Sequence, residues 1–186
     1  MNYKKEFKEA VLPCIKRKAA KVKLTKKEQK TIYKTVLKII KAKDNEKGYS
    51  YDNKKMKTRF YTGLAGEMAV QKLIEKKFID LSVGHSNYYN HADLKNIGIN
   101  VGVKSIRAGN FPVIHKKAKR PEIICIVNSL DTVYVLGLAT KEVLNKYQDD
   151  KYILSPYLRK KGTKTCFYGF DYLKEIKNYR DLKKFA

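Results

Sequence analysis

The chain has 186 residues, 43% hydrophobic and 32% charged, with 42 Lys and Arg against 18 Asp and Glu for a net charge of +24. That is enough apolar matter for one domain with a real core, or for a core domain with a helical extension, and too little for two full domains. No run approaches the roughly 18 apolar residues of a membrane span, MNYKKEFKEA lacks the apolar stretch of a secretory signal, and Cys14, Cys125 and Cys166 are too scattered for a disulfide framework or a zinc site.

These features point to a soluble protein of a reducing cytoplasm with no membrane partner. A field this positive attracts polyanions, and the expected partner is DNA, with RNA as the alternative. An AT-rich genome also favours lysine, which accounts for part of the lysine count but not for the scarcity of acids.

Positive charge is densest at the start: residues 1–60 hold 20 Lys and Arg against 6 acids. Residues 1–55 read as a basic helical extension and 56–186 as an α/β core. Residues 3–22 are predicted helical, bent or broken at Pro13. Thr25 to Glu28 (TKKE) has the form of a capping box, with Ile32, Val36, Ile39 and Ile40 following at helical spacing before the KGYSYDN loop. Such helices could serve as a DNA-gripping arm, as the contact of a homodimer, or as a solvated lid.

A helix over Lys57–Lys77 carries Phe60, Leu64, Met68, Ala69, Val70, Leu73 and Ile74 around most of its circumference, the mark of a buried helix. The period then changes. FIDLSV (78–83), INVGVKSI (99–106), IICIV (123–127) and VYVLGLA (133–139) are short, rich in β-branched residues and bounded by Gly, Asn, Pro or Asp, so strands are predicted, several of them central. Thr140 is placed to cap a short helix through Lys146, and Asp171 another near the C-terminus. The fold class is α/β, a mixed central sheet flanked by helices.

Three residues could carry chemistry. Glu67, in YTGLAGEMAV, shares a helix face with Leu64, Val70 and Ile74, where a carboxylate needs a cation, a lysine or backbone donors aimed at it; otherwise it curls out to solvent. Gly63 and Gly66 permit close approach of a sheet on that side. Asp93, in HADLKN, precedes a turn into the 99–106 strand. In that strand Val101 and Val103 face one way, and Asn100, Gly102 and Lys104 the other.

This order of helix acid, Asp, and strand with Lys resembles the PD-(D/E)XK nuclease superfamily, the restriction-endonuclease-like fold shared by many restriction endonucleases and archaeal-type Holliday junction resolvases. The resemblance covers about residues 58–140 and rests on GLAGEMAV, HADL and VGVKS. It implies a metal-dependent endonuclease acting on DNA phosphodiester bonds, with Glu67 and Asp93 as ligands of Mg²⁺ or Mn²⁺, the Val103 carbonyl as a backbone ligand, and Lys104 orienting the attacking water. Two positions depart from the pattern: Gly102 stands where the family has Asp or Glu, and Ala92 where it has Pro. A nucleic-acid-binding protein on the same fold with a decayed site is the alternative.

Arg107, Lys116, Lys117, Lys119 and Arg120, in RAGNFPVIHKKAKRPE, would flank the cleft and hold phosphates, or else form a solvated loop. His85, His91 and Asp93 could be read as a rival metal cluster, but their spacing matches no ligand pattern, and His91 reads rather as a substrate contact or an exposed residue. Tyr88 and Tyr89 could stack on bases. Cys125, with no histidine or acid beside it, reads as a small core residue.

Overall fold

The structure, a computed structural model, describes residues 2–44, 53–82 and 92–183. Four strands form a mixed sheet: β1 (Ala20–Lys23), β5 (Thr132–Ala139), β4 (Glu122–Val127) and β2 (Gly102–Arg107), in that order across it. β2 runs parallel to β4, and the other pairings are antiparallel. β4 is buried along nearly its whole length, as a strand covered on both faces must be. Among the described residues β2 is the last strand in this order, with no further strand paired to its other edge.

Helices cover both faces. α2 (Lys26–Asp44) and α3 (Asn53–Ile74) enclose one core with Ile99, Val101, Ile123 and Cys125. The other face packs Ile106, Ile124 and Ile126 against α1 (Tyr3–Lys18) and against a second, antiparallel sheet of β3 (Val113–His115), β7 (Lys164–Phe167) and β6 (Gln148–Asp149). The short helices α4 (Lys141–Lys146), α5 (Pro156–Lys161) and α6 (Tyr179–Lys183) complete the chain. Among the described residues no helix is long and apolar enough to cross a membrane.

Several local expectations hold. The Thr25 amide donates to Glu28 Oε2 at 2.6 Å and the Glu28 amide to Thr25 Oγ1 at 3.2 Å, a reciprocal capping box. Ile32, Val36 and Ile40 are buried while Lys26, Lys27, Lys30, Lys34, Lys38 and Lys41 lie on the exposed face. Thr140 caps α4 through its hydroxyl.

Others are corrected. The basic N-terminal residues enter the fold: α1 runs through Pro13 to Lys18 with Phe7, Val11 and Cys14 buried, and 20–23 is a strand paired with β5 instead of more helix. Short AKVK alternates half-buried and exposed residues, a sheet-edge pattern that a helical reading hides. No strand forms over 78–82, because the Phe78 and Ile79 amides turn back to Gln71 Oε1 at the end of α3. Asp171 lies in a 3₁₀ turn and caps no α-helix; α6 begins at Tyr179. The KGYSYDN loop falls almost wholly outside the described residues.

Candidate active site

The site is organised along the edge of β2 that faces away from β4. Gly98, in the left-handed region at φ 76°, closes the 3₁₀ turn Lys95–Ile97 and sends the chain back on itself. Leu94 N–H then donates to the Val101 carbonyl at 3.1 Å, and Val103 N–H to Asp93 Oδ2 at 2.5 Å. The Gly102 amide points the other way, to the Pro121 carbonyl at 3.0 Å. Alternate residues of an extended strand present their amides to alternate edges, so the Val103 carbonyl faces the Asp93 side as well.

Glu67 comes from α3, which packs tightly against β2: a Cβ on Gly66 would lie 2.7 Å from Ser105 Cβ. Gly63, also read as a contact glycine, has open space around it. Glu67 finds no hydrogen-bond or ion-pair partner among the described residues. Burial, reinforced by the charge of Asp93, raises its carboxyl pKa to about 8. Burial also raises the pKa of Asp93, against the pull of the Val103 amide, Arg120 and Lys104.

Lys104 extends from the opposite face of β2 to Val103. Burial lowers its pKa; Arg59 and Arg120 push in the same direction, while Glu122 and Asp93 oppose. Glu122 opens β4 opposite Gly102 in the parallel register. It lies 3.4 Å from Arg120 Nε, the two side chains being 21% and 25% exposed. Sequence reading passed over Glu122 because its relation to Lys104 exists only through strand pairing. Its signal was an acid at the start of an apolar central strand, in PEIICIV.

Cations surround this group. Lys164 and His115 pair across β3 and β7, with Nζ and Nε2 2.5 Å apart. Burial together with the charges of Lys104, Lys161 and Arg59 lowers the Lys164 pKa to about 8, against Glu122. The His115 pKa is lowered too, by burial and then by Lys164, Lys104, Arg120 and Lys119. Lys55, Arg59, Lys104 and Arg107 line a cleft of about 710 Å³ whose lining includes none of Glu67, Asp93 and Glu122.

The proposed phosphate contacts therefore divide. Arg120 sits within the site beside Glu122, and Arg107 is exposed at the cleft wall. Lys119 is near enough to act on His115, Lys116 is paired with Asp150 at 2.6 Å, and Lys117 is exposed. His85, His91, Tyr88 and Tyr89 lie outside the described residues. Cys125 is fully buried in the core, as expected, but it has an acid near it after all, since the charge of Glu67 adds to burial in raising the thiol pKa.

No protein-family model, curated protein or solved structure matches this chain.

Among the described residues no three Asp, Glu, His or Cys side chains gather closely enough to enclose a metal ion. Glu67 and Asp93 nonetheless suit a dication of the Mg²⁺ kind, which keeps several waters and uses one or two protein carboxylates together with substrate phosphates. Each is held back from ionising mainly by burial, and Asp93 opposes the ionisation of Glu67, so a nearby dication would favour both charged forms.

Proposed function

We propose that the protein is a metal-dependent endonuclease cleaving DNA phosphodiester bonds, of the restriction-endonuclease-like kind. The observation that carries this reading is the edge of β2: Asp93 is fixed to the Val103 amide, Lys104 projects from the next residue, and the Glu67 carboxyl is electrostatically coupled to Asp93. Mg²⁺ or Mn²⁺ held by Glu67 and Asp93 would polarise a phosphoryl oxygen and acidify water.

The chain's own residues supply the rest. Arg59, Arg107, Arg120 and Lys164 offer charge to the phosphates that flank the scissile bond. Lys104 orients the water whose oxygen forms the new P–O bond as the P–O bond to the departing sugar oxygen breaks. A buried lysine of reduced pKa accepts the proton the water loses more readily when it is momentarily neutral, and in its charged form it offsets the growing charge on the phosphoryl group. Incubating plasmid and branched DNA with Mg²⁺ or Mn²⁺ tests the reading. Cleavage that disappears in Lys104→Ala is expected, and cleavage unchanged by that substitution overturns it.

One competing reading has its own support. Gly102 and the lack of an enclosed three-ligand group among the described residues favour a DNA- or RNA-binding protein whose site no longer cleaves. That reading requires salt-sensitive binding with no cleavage at any metal concentration.

A further inference from the structure

Gly102 leaves the Lys104 strand without the carboxylate its pattern calls for, and the space where that side chain would begin is already filled. A Cβ built on Gly102 would lie 2.8 Å from Glu122 Cδ and 3.0 Å from Arg120 Nε. The neighbour that fills it is itself a carboxylate, brought there by the parallel register that sets Gly102 opposite Glu122. We infer that Glu122, reaching across from β4, supplies the carboxylate that position 102 lacks and forms, with Asp93, the acidic wall of a water-rich divalent-cation site beside Lys104.

Three observations support the assignment independently of the family pattern. Glu122 and Gly102 are paired across the ladder, so their side-chain positions share the sheet face from which Lys104 projects, two residues along. Burial holds Glu122 back from ionising, Arg120 and then Lys104 favour its charged form, and Asp93 is near enough to oppose it. Its side chain is mostly buried at the start of a central strand, where an acid contributes nothing to packing and costs desolvation. Arg120 offsets part of that cost through its charge and a side-chain hydrogen bond, with its Nε 3.4 Å from Glu122 Oε1.

Glycine at 102 then follows from sterics, since two carboxylates cannot occupy one volume.

The inference rests on the nuclease reading, and the test separates the two. Mn²⁺ binding is followed by electron paramagnetic resonance without DNA, alongside DNA cleavage, for the full chain and for Glu122→Gln, Gly102→Glu and the double variant Gly102→Glu/Glu122→Ala. Glu122→Gln is expected to weaken Mn²⁺ binding about tenfold or more. Gly102→Glu alone should also lose binding or stability, because its carboxylate meets that of Glu122. The double variant moves the carboxylate to the other strand and should recover Mn²⁺ binding to within about threefold of the natural chain, under half a tenfold step in free energy.

Mn²⁺ binding unchanged in Glu122→Gln, with cleavage intact, overturns the assignment while leaving the nuclease reading in place. The same unchanged binding with weaker DNA affinity assigns Glu122 only to holding Arg120, and also overturns it. A natural chain that neither binds Mn²⁺ nor cleaves DNA overturns the nuclease reading and this inference with it.

Discussion

Asp93 and Val103, ten positions apart, are joined by one hydrogen bond of 2.5 Å from the Val103 amide to Asp93 Oδ2, and that bond ties the carboxylate to the edge of the lysine strand that faces away from β4. It serves both fold and chemistry, and the two can be separated. Asp93→Ala removes the acceptor and should cost about 1–3 kcal/mol of stability, as expected for a partly buried donor left unpaired, together with all cleavage. Asp93→Asn keeps an oxygen for the Val103 amide and should retain most of the stability while still losing cleavage. Urea denaturation alongside the DNA assay distinguishes these outcomes.

Glu67 makes stability depend on pH in a particular direction. Its carboxyl titrates near 4.5 in the unfolded chain and at about 8 in the fold, so between those values the native state holds more protons. The contribution of Glu67 is therefore fully present below about 4.5 and is lost as pH rises through 8. Denaturation in chelator should show stability falling over this window. Glu67→Gln should flatten the fall, and millimolar Mg²⁺ should reduce it in the natural chain.

The contact between α3 and β2 is sterically close. A Cβ on Gly66 would meet Ser105 Cβ at 2.7 Å and press on the Ser105 hydroxyl, which is buried with no hydrogen-bond partner among the described residues. Gly66→Ala should therefore destabilise the protein by about 1–3 kcal/mol despite alanine's higher helix propensity, the usual result of overpacking. Gly63→Ala, with open space around it, should be neutral or stabilising. Thermal melts of the two variants give the comparison.

Much of this was legible along the chain wherever the signal is local. The Thr25–Glu28 box, the Thr140 cap and the apolar strands around 102–107, 122–127 and 132–139 depend on neighbours a few residues away. What escaped was non-local or short. β1 has four residues and gains its identity from pairing with β5, and β3, β6 and β7 have two to four residues each, too few for a period to show. FIDLSV carries strand-forming residues, yet the Gln71 side chain holds its first two amides. Glu122 and Lys164 join the Lys104 neighbourhood only through the parallel register and the second sheet.

The N-terminal residues give a prediction of their own. Deleting 1–50 would remove β1 from the sheet, strip Phe7, Val11 and Cys14 from one core, and take Ile32, Val36 and Ile40 from the other. Exposing that much apolar surface should leave the remainder without cooperative unfolding, and prone to aggregation. Circular dichroism melts of the truncated chain check this. A sharp transition near that of the full chain would show that residues 1–50 are dispensable to the fold.

Lys164 offers a readout of phosphate binding that needs no cleavage. Its pKa is lowered to about 8 by burial and by Lys104, Lys161 and Arg59, with Glu122 opposing and His115 Nε2 2.5 Å from its Nζ. Near pH 8 about half of these side chains are uncharged, which leaves one cation fewer for DNA above that pH. An arriving phosphate favours the charged form, so binding should take up protons, and affinity should fall as pH climbs from 7 to 9. Calorimetric titration of duplex DNA in two buffers of different ionisation enthalpy measures the proton uptake directly. Lys164→Arg keeps its charge throughout this range and should abolish most of the uptake while preserving affinity. Uptake unchanged in Lys164→Arg would remove Lys164 from the phosphate contacts.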